Sequence, residues 1–282
     1  MRDPSRAAPL ARAGATLVAG DLDDGRALRR GLDGADAAIH GAAMYAVGIP
    51  ASRRPAMYAA NVRGTQRALE TGQAAGVPRV VYVSTCAIFG NTHGKIVDEA
   101  YARAGPYTSY YEETKVRAHE IAQGLAAQGL GVVIVLPGGV YGPGDSSQLG
   151  GLMRRYVGSG LPLIAFADAG LNFVHVDDLA SGSCWRWTAA RRDGATSSAA
   201  RTRASPTRSA SWRESPVAGH RASCRIGRSS SAARLRPETR ELVTTSKGVT
   251  FWTSDARARA ELGYLPRGLE TGLTDTYATL GT

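Results

Sequence analysis

The chain has 282 residues, 43% hydrophobic, 7% aromatic and 21% charged, with a formal net charge of +10; that size permits one large domain or two small ones. No apolar run approaches the ~20 residues needed to span a bilayer, Met1 to Arg6 holds no apolar core like that of a signal peptide, and Cys86, Cys184 and Cys224 form neither a CxxC pair nor a disulfide framework, so a reduced, cytoplasmic protein with no metal site is expected. The charge is confined to one tract, where thirteen arginines between Ser183 and Arg240 face only three acids; the rest of the chain is balanced, which excludes a basic surface spread over the whole molecule.

Ala15 to Gly20 reads as a short buried strand, followed by a helix around Asp24 to Arg30. Ala35 to His40 reads as a second strand and Pro55 to Ala75 as a long helix. Arg79 to Ser84 is the clearest strand, because β-branched and aromatic residues dominate it and Gly76 and Pro78 bound it. A helix from Ser109 to Gln128 precedes the strand Val132 to Leu136, which Pro137-Gly138-Gly139 ends. This alternation predicts an α/β fold with a parallel sheet, and the continuous apolar strands predict helices on both of its faces. Near the end of the chain, Ser254 reads as the N-cap of a helix over Asp255 to Leu262, Gly263 as its C-cap, and Leu269 to Leu280 as a closing helix.

Residues 183–242 break the pattern. Between Ser183 and Arg240, eleven serines and eleven alanines join the arginines, while Val, Ile, Leu, Phe, Tyr and Met contribute only Val217, Ile226 and Leu235. Such a stretch cannot bury enough apolar surface to offset its chain entropy. It is expected to be disordered, or to be the product of a shifted reading frame.

Tyr111 and Lys115 stand four apart on the helix predicted over Ser109 to Gln128, so both project from one face while Glu112, Glu113 and Thr114 turn elsewhere. An ammonium near a phenol lowers the phenol's pKa, which lets a tyrosine exchange a proton with a substrate hydroxyl or carbonyl near neutral pH. Ser84-Thr85 ends the preceding strand, at the carboxyl edge where a parallel sheet presents ligand-contacting groups. His40 and His175 lie in apolar strand contexts and read as satisfied core histidines. Asp177-Asp178 reads as the acidic pair of a helix N-terminus rather than a metal site, and Asp98-Glu99 as a solvated loop.

Seven segments in chain order carry a resemblance. They are Gly20-Asp21-Leu22, Ile39-His40-Gly41-Ala42-Ala43, Asn61-Val62-Arg63-Gly64-Thr65, Val83-Ser84-Thr85-Cys86-Ala87-Ile88-Phe89-Gly90, Tyr111-x-x-x-Lys115, Leu136-Pro137-Gly138-Gly139-Val140-Tyr141-Gly142-Pro143-Gly144-Asp145 and Asn172-Phe173-Val174-His175-Val176-Asp177-Asp178-Leu179-Ala180. Together they resemble the extended short-chain dehydrogenase/reductase family, its NAD-dependent epimerase/dehydratase group that includes dihydroflavonol-reductase-like enzymes. The resemblance covers residues 1–182 and, less specifically, 243–282. It implies a Rossmann-like doubly wound parallel sheet, NAD or NADP as cofactor, and a catalytic triad of Thr85, Tyr111 and Lys115, with Ser84 in reserve for the first position. Tyr111 is then the acid/base, Lys115 anchors the nicotinamide ribose and tunes Tyr111, and Thr85 orients the substrate oxygen. Asp21, Leu22, Gly41, Ala42, Ala43, Asn61, Pro137, Gly138 and Val140 join Tyr111 and Lys115 in the implied cofactor site. The implied reaction is hydride and proton transfer at a secondary alcohol or ketone, or at a nucleotide-sugar carbon. A small-molecule substrate is expected, with no membrane or nucleic-acid partner and with a homodimer left open.

The sequence departs from the family at two places. The family's glycine-rich GxxGxxG turn, whose helix N-terminus holds the pyrophosphate, has no counterpart here, and Arg2-Asp3-Pro4-Ser5-Arg6 resembles the loop after the family's second strand. The expectation is a sheet lacking its first strands, with an open edge, an exposed apolar face and weak or no dinucleotide binding. The Arg/Ser/Ala-rich tract 183–242 stands where the family builds its substrate lobe, so a partial NAD(P)-binding domain over 1–182 and a degraded C-terminal lobe, with 243–282 as its helical segment, are expected. A non-enzymatic remnant whose basic segment binds nucleic acid is the competing reading.

Overall fold

The computed structural model describes residues 2–147, 150–151, 153–154, 169–182, 201–202, 241 and 245–277. A parallel sheet runs in the order β1 (Ala38–His40), β2 (Val80–Val83), β3 (Val132–Val135) and β7 (Arg201–Thr202). Two parallel pairs stand beyond its carboxyl edge, β4 (Gly139–Tyr141) with β6 (Phe173–His175) and β5 (Gly170–Leu171) with β8 (Thr250–Phe251). In the central register Ala38 faces Val80 and Val80 faces Val132, so side chains of one parity share a face across the strands.

That parity explains why the strands are apolar throughout. Val80, Tyr82, Val132 and Ile134 turn to one face, against Leu69 of helix α4 (Gly64–Ala74) and Val116, Ala118, Ala122 and Leu125 of α5 (Tyr110–Ala127). Val81 and Val135 turn to the other face, where Val174 of β6, Ala258 and Leu262 of α7 (Ala256–Leu262) and Tyr264 cover them. Each fully buried aliphatic side chain contributes roughly 1.5–3 kcal/mol to this two-sided core. The expected α/β fold with helices on both faces is therefore present.

Local chemistry sets the helix ends. Asp24 caps α2 (Gly25–Leu32), its carboxylate accepting from the Arg26 and Ala27 amides at 3.0 Å. Ser109 caps α5, its hydroxyl accepting from the Glu112 amide at 3.1 Å. The rod expected as one helix over Pro55 to Ala75 is instead α3 (Arg54–Tyr58), a π-helical turn over Ala59–Arg63, and α4. Widening the turn brings Asn61 and Val62 inward together, and both are buried.

Three other expectations are corrected. Residues 15–20 form no strand, because a strand is held by a neighbouring ladder and no described strand pairs with them. The N-cap position of α7 is Asp255 rather than Ser254, whose hydroxyl accepts from the Ala256 amide; Asp255 also pairs with Arg259 at 2.9 Å. The second strand is shorter than expected, β1 starting at Ala38, and as an edge of the described sheet it leaves Ile39 53% exposed on the face where Val81 is buried. Gly263 ends α7 with φ +62°, the left-handed conformation expected of it.

The C-terminal segment packs onto the sheet domain. β8 pairs with β5, the Asn172 amide donates to Thr253 O at 2.9 Å, and Arg267 binds Asp178, near the start of helix α6 (176–182), at 3.0 Å. Tyr277 of α8 (Leu269–Tyr277) buries beside Tyr141 and Met153. Of the tract 183–242 only Arg201, Thr202 and Glu241 are among the described residues, so its expected disorder or shifted frame lies outside them. Among the described residues no helix is long and apolar enough to cross a membrane.

Candidate active site

A cavity of 570 Å³ opens at the carboxyl edge of β2 and β3, beneath the first turns of α5. Tyr111 and Lys115 stand one turn apart on α5, and both line it. Thr85, two residues past the end of β2, lies on the same wall, and its hydroxyl favours the charged form of Tyr111. Ser84, the reserve candidate, also lines the wall, but its hydroxyl bonds His119 Nδ1 at 3.2 Å. Of the two hydroxyls, Thr85 is the one coupled to Tyr111.

The electrostatics differ from the sequence expectation. Lys115 is buried, and its ammonium donates to Tyr82 Oη at 3.3 Å and to Val83 O at 3.1 Å. Burial lowers its pKa to about 8. Burial also pushes the Tyr111 phenol well up, with Tyr45, Tyr82 and Cys86 adding to the effect and the Thr85 hydrogen bond opposing it. The phenol is therefore not lowered by the lysine as expected; loss of water around a would-be phenolate outweighs any attraction to the ammonium. Tyr45 packs edge-on against the Tyr111 ring, with centroids 4.9 Å apart.

The other expected site residues divide into two groups. Gly41, Ala43, Pro137, Gly138 and Val140 line the cavity with Thr85, Tyr111 and Lys115. A Cβ at Gly138 would lie 2.1 Å from Asn172 O, so only glycine allows β4 and the segment before β6 to close at this wall. Asp21, Leu22, Ala42 and Asn61 are not on the cavity wall. Asp21 is exposed near Arg2 at 3.7 Å and accepts from the Leu22 amide, while Leu22 O accepts from Arg67 at 2.7 Å. Asn61 lies behind the wall, binding Met44 N at 2.7 Å, Met44 O at 3.0 Å and Thr114 Oγ1 at 3.0 Å. It anchors the loop that carries Ala43 and Tyr45.

Several contributors had no local signal in the sequence. Glu112 does not turn to solvent: it is 1% exposed and accepts from Arg103 Nη2 at 2.6 Å and from the Thr108 amide at 2.8 Å. Tyr45, Val47, Leu171, Val176 and Phe251 give the cavity an apolar wall, while Asp145 adds a carboxylate. Lys115 is the one cationic side chain on that wall among the described residues. His40 is a satisfied core histidine, Nε2 lying 3.0 Å from Thr65 Oγ1 and the ring stacked on Tyr82. His175 is only half satisfied: Nδ1 accepts from the Asp177 amide at 3.3 Å, but Nε2 has no partner among the described residues. Asp178 is tied to Arg267, and no group of three metal-ligating side chains occurs among the described residues.

Known proteins share this architecture. The solved structure titled "Crystal structure of gox2253" superposes with a TM-score of 0.68 at 26% identity, over 98% of this chain and 86% of that one. A Synechocystis protein named for dihydroflavonol 4-reductase is 34% identical over 174 residues, 60% of this chain and 49% of the relative. A Mycobacterium tuberculosis protein named 3 beta-hydroxysteroid dehydrogenase/Delta 5-->4-isomerase is 30% identical over 175 residues, 59% of this chain and 47% of the relative. The chain spans about half the length of the curated relatives it matches. Residues 1–197, from the N-terminal turn through α5 and past α6, match one family model, and the chain belongs to the NAD dependent epimerase/dehydratase family.

Proposed function

We propose that this protein carries out NAD(P)-linked oxidation or reduction at a secondary alcohol or ketone of a largely apolar small molecule, with Tyr111 as the acid/base. The convergence of Thr85, Tyr111 and Lys115 on one cavity wall, with Tyr111 and Lys115 one turn apart on α5, carries this reading. Gly41, Ala43 and Gly138 keep their walls free of bulk, which fits the nicotinamide–ribose end of the cofactor. Lys115 would hold the ribose hydroxyls there, and Pro137 to Val140 would flank the ring. A bound nicotinamide supplies the two-electron hydride exchange.

The chain's own residues manage the proton. A phenol kept neutral by burial is a donor, so Tyr111 delivers its proton to a carbonyl oxygen as that oxygen becomes negative, and takes it back from the alcohol in the reverse direction. Thr85 stands on the same wall as that phenol and steers the substrate oxygen onto it. Lys115 supplies positive charge beside the developing phenolate.

The wall selects between the two substrate classes open to such a triad. A nucleotide sugar carries a diphosphate that calls for cationic partners. Here the single described cation is Lys115, already bound to Tyr82 and Val83 O, and Asp145 would repel a phosphate. An aliphatic and aromatic wall suits an apolar ketone, and the names of the steroid and dihydroflavonol relatives support the same reading. The test is oxidation of NADH and NADPH with a panel of apolar ketones, beside reduction of NAD and NADP and chromatographic detection of converted sugar with a panel of UDP-sugars, on the wild type and Tyr111→Phe. Turnover of the ketones is expected, falling about 10²–10⁴-fold in the variant. Undiminished turnover in Tyr111→Phe, or turnover of UDP-sugars alone, would overturn the proposal.

A further inference from the structure

Three elements converge on one buried phenol. Tyr82, on β2, is 1% exposed, and its hydroxyl takes the Lys115 ammonium of α5 at 3.3 Å. Thr65 of α4 and Ser84 flank the same hydroxyl and oppose the rise in its pKa. Thr65 in turn meets His40 Nε2 of β1 at 3.0 Å, and the His40 ring stacks on the Tyr82 ring with centroids 5.7 Å apart. Tyr82 itself is outside the triad and is not on the cavity wall.

We infer that Tyr82 is a positioning residue for Lys115: its hydroxyl aims the ammonium and sustains its charge, and the His40 ring stacked on the Tyr82 ring holds the phenol in place. This rests on the role proposed for Lys115 above. The chemistry is that of a buried cation short of water. An ammonium has three donors, and Lys115, 3% exposed, has Tyr82 Oη and Val83 O as its two acceptors among the described residues. Val83 O is a backbone group fixed by the strand, so the phenol is the adjustable partner. A phenol has one proton and two lone pairs; with its proton given to Thr65 or Ser84 it accepts from the lysine. Burial pushes the Tyr82 phenol up to about 12, so it remains a neutral acceptor while the lysine titrates. The titratable groups that meet this ammonium are His40 from β1, which feels its charge, and Tyr82 from β2; Tyr111 and Glu112 on α5 and Tyr45 and Cys86 from neighbouring loops line the same cavity wall.

The sequence makes a direct test simple, because the chain has three lysines, Lys95, Lys115 and Lys247. Protein labelled with ¹⁵N-lysine gives three side-chain signals, and loss of one in Lys115→Met assigns it. In Tyr82→Phe the ammonium loses an acceptor and its charged form is disfavoured, so the Lys115 titration midpoint should fall by about one pH unit relative to the wild type. Ser84→Ala keeps the lysine–phenol contact and should leave the midpoint in place. Should Tyr82→Phe not fold, the double variant Thr65→Val/Tyr82→Phe removes both hydroxyls of the pair together and carries the same expectation. An unchanged midpoint in the Tyr82 variant, or an equal shift in Ser84→Ala, overturns the assignment. The titration needs neither cofactor nor substrate: a fall in midpoint beside absent ketone turnover would overturn the proposed function and sustain the positioning role. Turnover with an unmoved midpoint would do the reverse.

Discussion

Arg103 and Glu112 form a 2.6 Å ion pair in which the carboxylate side chain is 1% exposed and the guanidinium 19%. Glu112 also accepts from the amide and hydroxyl of Thr108, so the pair ties the loop before α5 to the first turn of that helix, next to Tyr111. Removing one partner of a buried pair leaves the other charge uncompensated, which costs more than the pair itself contributes. Arg103→Met should therefore destabilise the fold by about 3–5 kcal/mol, and Glu112→Gln, which keeps some of the hydrogen bonds, by less. Urea unfolding of the two variants checks the order; equal, small losses would show that the carboxylate is reached by water.

Thr85 and Ser84 are adjacent hydroxyls with different work. Thr85 is coupled to Tyr111, whereas Ser84 is hydrogen-bonded to His119. Replacing Thr85 by Val should lower kcat for ketone reduction by about 10–100-fold, the effect of losing one hydrogen bond aimed at the reacting oxygen, with little change in KM for the cofactor. Ser84→Ala should cost several-fold less. Steady-state kinetics of the two variants decide it, and a reversed order would move the triad position to Ser84.

The sequence exposed what depends on short stretches and hid what depends on distant ones. The strands β2 and β3 were legible because Val80 to Val83 and Val132 to Val135 are β-branched and aromatic almost throughout, and helix α5 because Ser109 caps a run that places Tyr111 and Lys115 one turn apart. The π-turn at Ala59–Arg63 was not legible: its cause is the reach of Asn61 to Met44, seventeen residues away. Arg267 and Asp178 are eighty-nine residues apart, and nothing local in either marks the other as partner. Ala15 to Gly20 shows the opposite error, since its composition suits a strand but a strand requires a neighbour, and no described strand pairs with it.

Asn61 offers a test of the π-turn. Its amide satisfies both backbone groups of Met44 and the Thr114 hydroxyl, all within 3.0 Å. Asn61→Leu fills the space but leaves those groups without partners, at about 1–3 kcal/mol for each that water cannot reach. Loss of at least about 2 kcal/mol is expected, together with a raised KM for NAD(P), because the Met44 loop carries Ala43 and Tyr45 to the cavity. A variant that loses stability but keeps the wild-type KM would restrict Asn61 to the core.

His40 makes stability depend on pH with a definite sign. Burial, and then the charge of Lys115, lowers its pKa from the ordinary 6.5 to about 4. Below pH 6.5 the unfolded chain takes up a proton that the folded chain refuses until about pH 4. The stabilisation is therefore complete above 6.5, shrinks as the pH falls through that window, and is gone below about 4. A shift of this size corresponds to roughly 3 kcal/mol. His40→Phe keeps the ring stacked on Tyr82 and cannot titrate, so its urea midpoint should fall less between pH 7 and pH 4.5 than that of the wild type, although at pH 7 it starts lower because Thr65 has lost a partner. The carboxylates titrate in both proteins and cancel in the comparison. Parallel declines in the two would mean that folded His40 takes up its proton over the same pH range as the unfolded chain, near the ordinary 6.5, and that the buried network around Tyr82 admits a charge where the geometry requires it to be neutral.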